Sequence, residues 1–167
     1  ELTDETENET MVDLGREGHN VLVTRTCSKI FGMAGLRVGY GMARPDIIKK
    51  TSKHIMAWPN GVGLTAAYHS YIDSDFIRFS RDKVLQGRDM VEKTCAQMGL
   101  TPVPSQANFV FVDVGRDAMT VRRAMAKEGV LINAGYDGYP QHLRVSMGRL
   151  EDLKTFDRVF KRVMSGA

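Results

Sequence analysis

The chain has 167 residues, of which 43% are hydrophobic and 26% are charged, with a formal net charge of +3 at pH 7. This composition is that of a folded protein with one core or two small ones, and it argues against disorder. The 23 basic and 20 acidic residues are spread along the chain, so no concentrated field favours nucleic acid or a membrane surface as a partner. No apolar run nears the roughly 20 residues of a bilayer crossing, and we expect a soluble, cytoplasmic protein.

The first ten residues, ELTDETENET, predict an acidic polar loop without a methionine or a targeting pattern. We therefore expect this sequence to be the later part of a longer protein. Two cysteines and four histidines follow, and their spacing matches neither a zinc site nor a disulfide framework. The sequence predicts no metal site.

Strand and helix patterns alternate through the first half of the chain. The run HNVLVTRT is rich in β-branched residues and is typical of a buried strand in a parallel sheet, and LRVGYGMA predicts a second strand. Helices are predicted from Pro45 and from Asn60. One long surface helix or two abutting helices are predicted over residues 75–98, where apolar positions form a loose stripe among charges.

The second half begins after a connector marked by Pro102 and Pro104. Its predicted elements are, in order, strand NFVFVDV, helix DAMTVRRAMAKE, strand VLIN, strand HLRVSMG and helix LEDLKTFDRVFKRVM. This order predicts a compact α+β unit at the end of the chain. We place a domain boundary near Met90 in the long helix, which gives domains 1–89 and 90–167.

Lys29 lies directly after the first predicted strand, inside the glycine-rich stretch TCSKIFGMAGLRVGYG at residues 26–41. Ends of strands in α/β sheets face the ligand crevice, and burial there would favour a neutral, nucleophilic lysine amine. Arg37 and the hydroxyls of Thr26 and Ser28 are groups that hold a phosphate. A lysine that can react with an aldehyde and a set of donors that can bind a phosphate together fit pyridoxal 5'-phosphate, or PLP.

Spacing alone leaves a second interpretation open. Thr26, Ser28 and the glycines can also form an ordinary turn between a strand and a helix. In that case Lys29 and Arg37 are exposed surface charges with no ligand. Composition by itself does not choose between the two.

The run T-x-S-K-x-F-G-x-A-G-L-R-x-G-Y at residues 26–40 closely resembles the cofactor-lysine motif of fold type I, class I/II aminotransferases. Within that family it is most similar to the histidinol-phosphate aminotransferase branch. The resemblance implies an α/β fold: the C-terminal part of the large PLP-binding domain, followed by a small α+β domain. It also implies a homodimeric enzyme that transfers an amino group between an amino acid, such as histidinol phosphate or an aromatic one, and a 2-oxo acid.

The same resemblance implies roles for individual residues. Lys29 is the lysine that binds the cofactor covalently, and Thr26, Ser28 and Arg37 hold the cofactor phosphate. Arg144 in LRVSMG matches the arginine that binds the substrate α-carboxylate, a task suited to the two-pronged guanidinium. From its own sequence context, Arg144 could equally be an edge-strand arginine in a surface salt bridge.

Two departures from the family pattern limit these expectations. The family's residues for the pyridine nitrogen, the cofactor oxygen and the ring face lie upstream of the lysine, where this chain has too little sequence, and Asp13 lies in the wrong segment to replace one. We therefore expect the chain to be inactive alone. Asn133 also stands where histidinol-phosphate aminotransferases often have an arginine, so the amino donor stays open.

Two rival functions remain at this stage. A decarboxylase of the same fold would use the same lysine and arginines. A non-catalytic α+β binding or assembly module would use none of them.

Overall fold

The computed structural model describes residues 10–166, and these form two compact units that divide between Ser80 and Arg81. The division falls inside a 24-residue helix. The domain boundary near Met90 stays a prediction, and most of the polar loop expected at residues 1–10 lies outside the described residues. In the described part of the chain, no helix has both the length and the apolar character that a membrane crossing requires.

Six helices and five strands make up the described residues. The first unit contains α1 (Met11–Arg16), β1 (Val23–Thr26), a 3-10 turn (Ala34–Leu36), β2 (Gly39–Met42), α2 (Pro45–Ser52), α3 (Gly61–Ile72) and the start of α4 (Ser74–Gln97). The second unit contains the rest of α4, β3 (Pro102–Val103), β4 (Phe109–Asp113), α5 (Ala118–Lys127), β5 (His142–Ser146) and α6 (Leu150–Ser165).

The strands of the first unit form an antiparallel ribbon. β1 pairs with β2 so that Val23 lies opposite Met42 and Thr26 lies opposite Gly39. The prediction of a buried strand in a parallel sheet is therefore wrong for this chain, because β1 is largely exposed. The glycine-rich loop returns the chain beside β1, and among residues 10–80 no third strand joins the ribbon to cover it.

Helix starts in the first unit follow local chemistry. Pro45 occupies the first turn of α2, where its missing N–H costs nothing, and Arg44 makes two 3.0 Å hydrogen bonds to the Asp46 carboxylate. Asn60 precedes α3, and its side-chain oxygen accepts a hydrogen bond from the Gly63 N–H. Both predicted helix starts are confirmed.

The second unit is built on a three-stranded antiparallel sheet in the order β3-β4-β5. Phe109 lies opposite Ser146, and Asp113 lies opposite His142. The connector predicted around Pro102 is instead the short edge strand β3, a position that tolerates proline because no ladder N–H is needed there. The predicted strand VLIN is also wrong, since only Asn133 pairs there, through one antiparallel bridge to Arg144.

The core of the second unit comes from alternation in the two central strands. Val110 and Val112 of β4 and Leu143 and Val145 of β5 are all buried, while their sequence neighbours are more exposed. Helices α4, α5 and α6 contribute apolar side chains to the same cluster. This unit is the compact α+β unit that the sequence predicts.

A polar cluster joins α4 to α6 at the edge of this core. The Asp157 carboxylate lies 2.7 Å from the buried Thr94 hydroxyl and 2.6 Å from the Lys161 ammonium. Burial raises the pKa of Asp157, but hydrogen bonds from Lys161 and Thr94 outweigh that effect and leave the pKa below its usual value. The ionised carboxylate therefore stabilises the fold above the ordinary aspartate pKa of about 3.9, and this contribution is lost as pH falls through the lowered pKa.

We expect Asp157→Asn to reduce the free energy of unfolding by about 1 kcal/mol at pH 7, because the variant loses the charge that Lys161 and Thr94 hold. The difference from the unsubstituted chain should shrink as pH falls below the ordinary aspartate pKa. Urea unfolding across this pH range measures it. Asp89→Asn, which breaks the exposed pair with Lys93, is the control and should change stability little. A difference that is constant with pH would contradict the assignment.

Candidate functional site

The loop after β1 is closed by backbone hydrogen bonds. The Cys27 N–H donates to the Val38 carbonyl at 3.0 Å, and the Met33 N–H donates to the Cys27 carbonyl at 3.0 Å. Gly32, which has a φ of 66°, donates to the Lys29 carbonyl at 2.9 Å. A glycine suits that left-handed position because it has no Cβ. Residues 27–38 therefore form a closed loop and not an open connection.

Apolar side chains anchor the loop. The residues in and beside it that are buried are Cys27, Ile30, Phe31, Met33 and Val38. Lys29 and Arg37 of the same loop are exposed, so the apolar and the charged side chains of the loop differ in burial. Cys27 is 1% exposed, so its side chain belongs to this apolar set.

Two hydroxyls lie side by side at the start of the loop. The Thr26 hydroxyl donates to Ser28 Oγ at 2.7 Å, and the Ser28 N–H donates to Thr26 Oγ1 at 3.1 Å. The turn itself needs the Thr26 hydroxyl as acceptor, and the bond between the two side chains needs a hydroxyl at both positions. It leaves acceptor and donor capacity at Ser28 for a further group.

Lys29 is exposed, and in residues 10–166 no hydrogen bond or ion pair involves its ammonium group. The expectation of a buried lysine is therefore wrong for this chain. The physical reason is the two-stranded ribbon, because no further strand lies beside β1 among residues 10–80. Any cover for this amine must come from outside these residues.

Arg37 ends the loop in a strained backbone conformation. Its φ is 56°, and in the described residues it is the one non-glycine residue with a positive φ. That left-handed state costs roughly 1–3 kcal/mol and persists only when the surroundings enforce it. One guanidinium nitrogen, Nη1, donates to the Ala34 carbonyl at 2.9 Å. The remaining donors of the fork have no partner within residues 10–166, so they are available to an anion.

Arg144 lies in the second unit, on β5. Its guanidinium carbon is 4.1 Å from the centroid of the Phe109 ring, a cation–π contact between neighbouring strands. The side chain is half-buried, and no acidic residue of the described chain pairs with it. The surface salt bridge that the sequence left open is therefore not formed. The structure thus brings Thr26, Ser28, Lys29 and Arg37 onto one loop and places Arg144 in the other unit.

Comparison with known proteins decides the family. The family "Aminotransferase class I and II" matches residues 3–160. The chain belongs to the class I and II aminotransferase family. A histidinol-phosphate aminotransferase of Moorella thermoacetica is 37% identical over 150 residues, which are 87% of this chain and 38% of that relative. The chain therefore spans about two fifths of the length of such curated relatives.

Solved aminotransferases share the fold of this family member. The histidinol-phosphate aminotransferase of Sinorhizobium meliloti, in complex with pyridoxal 5'-phosphate, superimposes with a TM-score of 0.80 at 29% identity, over 88% of this chain and 42% of its own. An aromatic aminotransferase of Pyrococcus horikoshii has a TM-score of 0.82 at 22% identity, over 99% of this chain and 48% of its own, and shows the fold alone. The fold predicted from the lysine motif is thereby confirmed.

Two side chains that sequence analysis did not assign to the site hold this aminotransferase loop. The Ser80 hydroxyl donates to the Ile30 carbonyl at 2.6 Å, and Asn60 Nδ2 donates to the Leu36 carbonyl at 3.1 Å. Asn60 is visible in the sequence as a helix start, but no local pattern indicates its second bond across 24 residues. Ser80 carries no sequence signal at all, because its partner is 50 residues away.

The sequence analysis also did not predict a cluster of aromatic rings around Phe111, which lies opposite Arg144 on the neighbouring strand. Tyr136, Tyr139 and His142 all pack on the Phe111 ring, with centroid distances of 5.5, 5.5 and 4.7 Å. Both tyrosines lie in the segment that leads into β5. One sequence signal for this cluster was available, because the alternation of side chains along β4 places Phe109 and Phe111 on the same face of the sheet.

We expect Gly39→Ala to destabilise the loop. A Cβ at this position would lie 2.6 Å from the Arg25 carbonyl oxygen, a backbone atom of the paired strand that cannot move aside alone. The expected cost is about 1–3 kcal/mol in the free energy of unfolding, measured by urea denaturation. Gly35→Ala is the matched control, because its Cβ meets nothing within 4 Å, and it should change stability by less than about 0.5 kcal/mol. Equal losses in both variants would show that β1 and β2 are not held in this register.

Proposed function

We propose that the whole protein is a PLP-dependent aminotransferase that moves an amino group between an amino acid and a 2-oxo acid. The observation that carries this proposal is one loop that presents Lys29, the Thr26–Ser28 hydroxyl pair and the left-handed Arg37, in a chain that the family matches over residues 3–160. Since this chain spans about two fifths of its relatives, the activity is proposed for the protein as a whole.

The donor set of the loop fits a phosphorylated aldehyde. The unpaired guanidinium donors of Arg37 and the hydroxyls of Thr26 and Ser28 are the groups that bind phosphate oxygens. The unpartnered amine of Lys29 is the group that adds to an aldehyde carbon. Pyridoxal phosphate, when bound, supplies an electron sink that stabilises negative charge at the substrate α-carbon.

Lys29 has two tasks in this proposal. Its amine would hold the cofactor covalently when no substrate is bound, and as general base and acid it would remove the proton from the α-carbon of the amino donor in one half-reaction and deliver a proton to the α-carbon derived from the 2-oxo acid in the other. Both tasks need the neutral amine, which is favoured when water is excluded. The exposed position of Lys29 in this chain means that the rest of the whole protein must cover it.

Arg144 orients the substrate. A guanidinium without an acidic partner is free to form the two parallel hydrogen bonds that a carboxylate accepts. The Phe109 ring under it limits the directions in which the fork can point. Fixing the carboxylate selects which bond of the α-carbon is broken, and cleavage of the Cα–H bond distinguishes transamination from decarboxylation.

Substrate and assembly complete the proposal. The relatives named above include histidinol-phosphate aminotransferases, so histidinol phosphate is the first amino donor to test, followed by aromatic amino acids because Asn133 departs from the branch pattern. We also propose a cytoplasmic homodimer, the assembly that the resemblance implies. This chain alone should not transaminate, because the ring-binding residues expected from the family lie upstream of Lys29.

Covalent trapping tests the proposal directly. The whole protein incubated with PLP and then reduced with borohydride should carry the cofactor on Lys29, identified by peptide mass spectrometry. Lys29→Ala should lose this label. Lys53→Ala, which removes another exposed lysine of the first unit, should keep it. Label spread evenly over surface lysines would refute the proposed role of Lys29 and favour a non-catalytic module.

Kinetics test the carboxylate role. Arg144→Gln should raise KM for the 2-oxo acid about 10-fold to 100-fold, because a charge-assisted hydrogen bond contributes roughly 1.5–3 kcal/mol. Arg149→Gln is the control, since Arg149 is exposed and already paired with Asp152, and its KM should not change. An unchanged KM in Arg144→Gln would remove that residue from the site, and carbon dioxide in place of a 2-oxo product would identify a decarboxylase.

A further inference from the structure

Asn60 makes two hydrogen bonds in opposite directions. Its Oδ1 accepts from the Gly63 N–H at 3.2 Å, which caps α3, and its Nδ2 donates to the Leu36 carbonyl at 3.1 Å. Capping needs only the first bond, and serine or aspartate would serve it equally well. The amide carries its acceptor and its donor on separate atoms, so it can accept at the helix and at the same time donate to a distant carbonyl, whereas an ionised aspartate has no donor. The second bond is therefore unexplained by helix capping.

The first turn of α3 also packs directly on the segment that carries Arg37. Gly63 and Val38 are both buried, and a Cβ at Gly63 would lie 2.5 Å from Val38 Cγ2. This close approach leaves no space for a larger residue at position 63. The helix start thus contacts the chain on both sides of Arg37, through Leu36 before it and Val38 after it.

The bond to Leu36 bears on the backbone angle of Arg37. The Leu36 carbonyl and the Arg37 N–H belong to one peptide plane, and the rotation of that plane about the Arg37 N–Cα bond is φ. Fixing the carbonyl oxygen with Asn60 therefore fixes the side of Arg37 on which the plane lies. Arg37 has the positive φ of 56° that a non-glycine residue holds only under such constraint.

We propose that Asn60 is a positioning residue, which holds Arg37 in its left-handed conformation and so aims the guanidinium at the phosphate of the cofactor. This inference rests on the proposed function, in which Arg37 binds that phosphate. Asn60 itself touches neither the cofactor nor the substrate. Its contribution should appear only in binding that depends on the phosphate group.

The test compares pyridoxal phosphate with pyridoxal, which lacks the phosphate, as ligands of the whole protein. Asn60→Ser keeps a neutral cap for α3 but is too short to reach Leu36. We expect its affinity for pyridoxal phosphate to fall about fivefold to tenfold, the effect of one net hydrogen bond, while its affinity for pyridoxal stays the same. Asn60→Ala should show the same loss of phosphate-dependent binding and lower thermal stability as well.

Controls separate the possible failures. Asp117→Ala removes the cap of α5 in the second unit and should leave the preference for pyridoxal phosphate unchanged. In an Arg37→Ala background, Asn60→Ser should have no further effect on binding. If Asn60→Ser fails to fold, the isosteric Asn60→Asp replaces it, and only the part of its effect that disappears in the Arg37→Ala background counts.

Two results would overturn the inference alone: a preference for pyridoxal phosphate that is unchanged in Asn60→Ser, or an equal loss of both ligands. A different result would overturn the proposed function beneath it. If Arg37→Ala binds pyridoxal phosphate no more weakly than the unsubstituted protein does, then Arg37 does not bind the phosphate, and Asn60 has nothing to position.

Discussion

The hydrogen bond between the Cys27 N–H and the Val38 carbonyl is the constraint on which the candidate site depends. It closes the loop just beyond the β1–β2 ribbon, so the two ends of the loop, Cys27 and Val38, are held next to each other. Burial of the apolar members of the loop then leaves the polar members on the accessible side. The closed loop thus carries Ser28, Lys29 and Arg37, three of the side chains proposed to bind the cofactor, and Thr26 lies at the end of β1 beside it.

Two side chains, one in α4 and one directly before α3, donate hydrogen bonds to backbone carbonyls of the loop. Ser80, in the second turn of α4, donates to the carbonyl of Ile30, the residue after Lys29, and Asn60 donates to the carbonyl of Leu36, the residue before Arg37. Each bond acts on the main chain beside a residue proposed to bind the cofactor and does not involve that residue's side chain. That division matters chemically, because an amine or a guanidinium used for structure would be unavailable to a ligand.

Most of the fold could be predicted from periodicity and caps, and the errors have physical causes. Helices α2, α3 and α4 begin where Pro45, Asn60 and residue 75 indicate, because those signals are local. The parallel strand and the strand VLIN were wrong because pairing depends on distant partners that periodicity does not reveal. The lysine motif identified the candidate residues of the loop. The bond from Ser80 to Ile30 and the contact of the Phe109 ring with Arg144 could not be predicted, because each joins parts of the chain that are far apart in sequence.

The arginines of the chain divide by whether an acidic residue is within reach. Arg44 and Arg149 each bind an aspartate two or three residues later, and the hydrogen bonds that they donate to those carboxylates raise the pKa of both guanidinium groups. Arg37 and Arg144 have instead a carbonyl and an aromatic ring as their described side-chain contacts, which orient a guanidinium without neutralising it. An anion that binds either group does not have to displace a carboxylate of residues 10–166. The uncompensated positive charge at these two positions suits the proposed binding of a phosphate and a carboxylate, whereas a surface salt bridge would neutralise it.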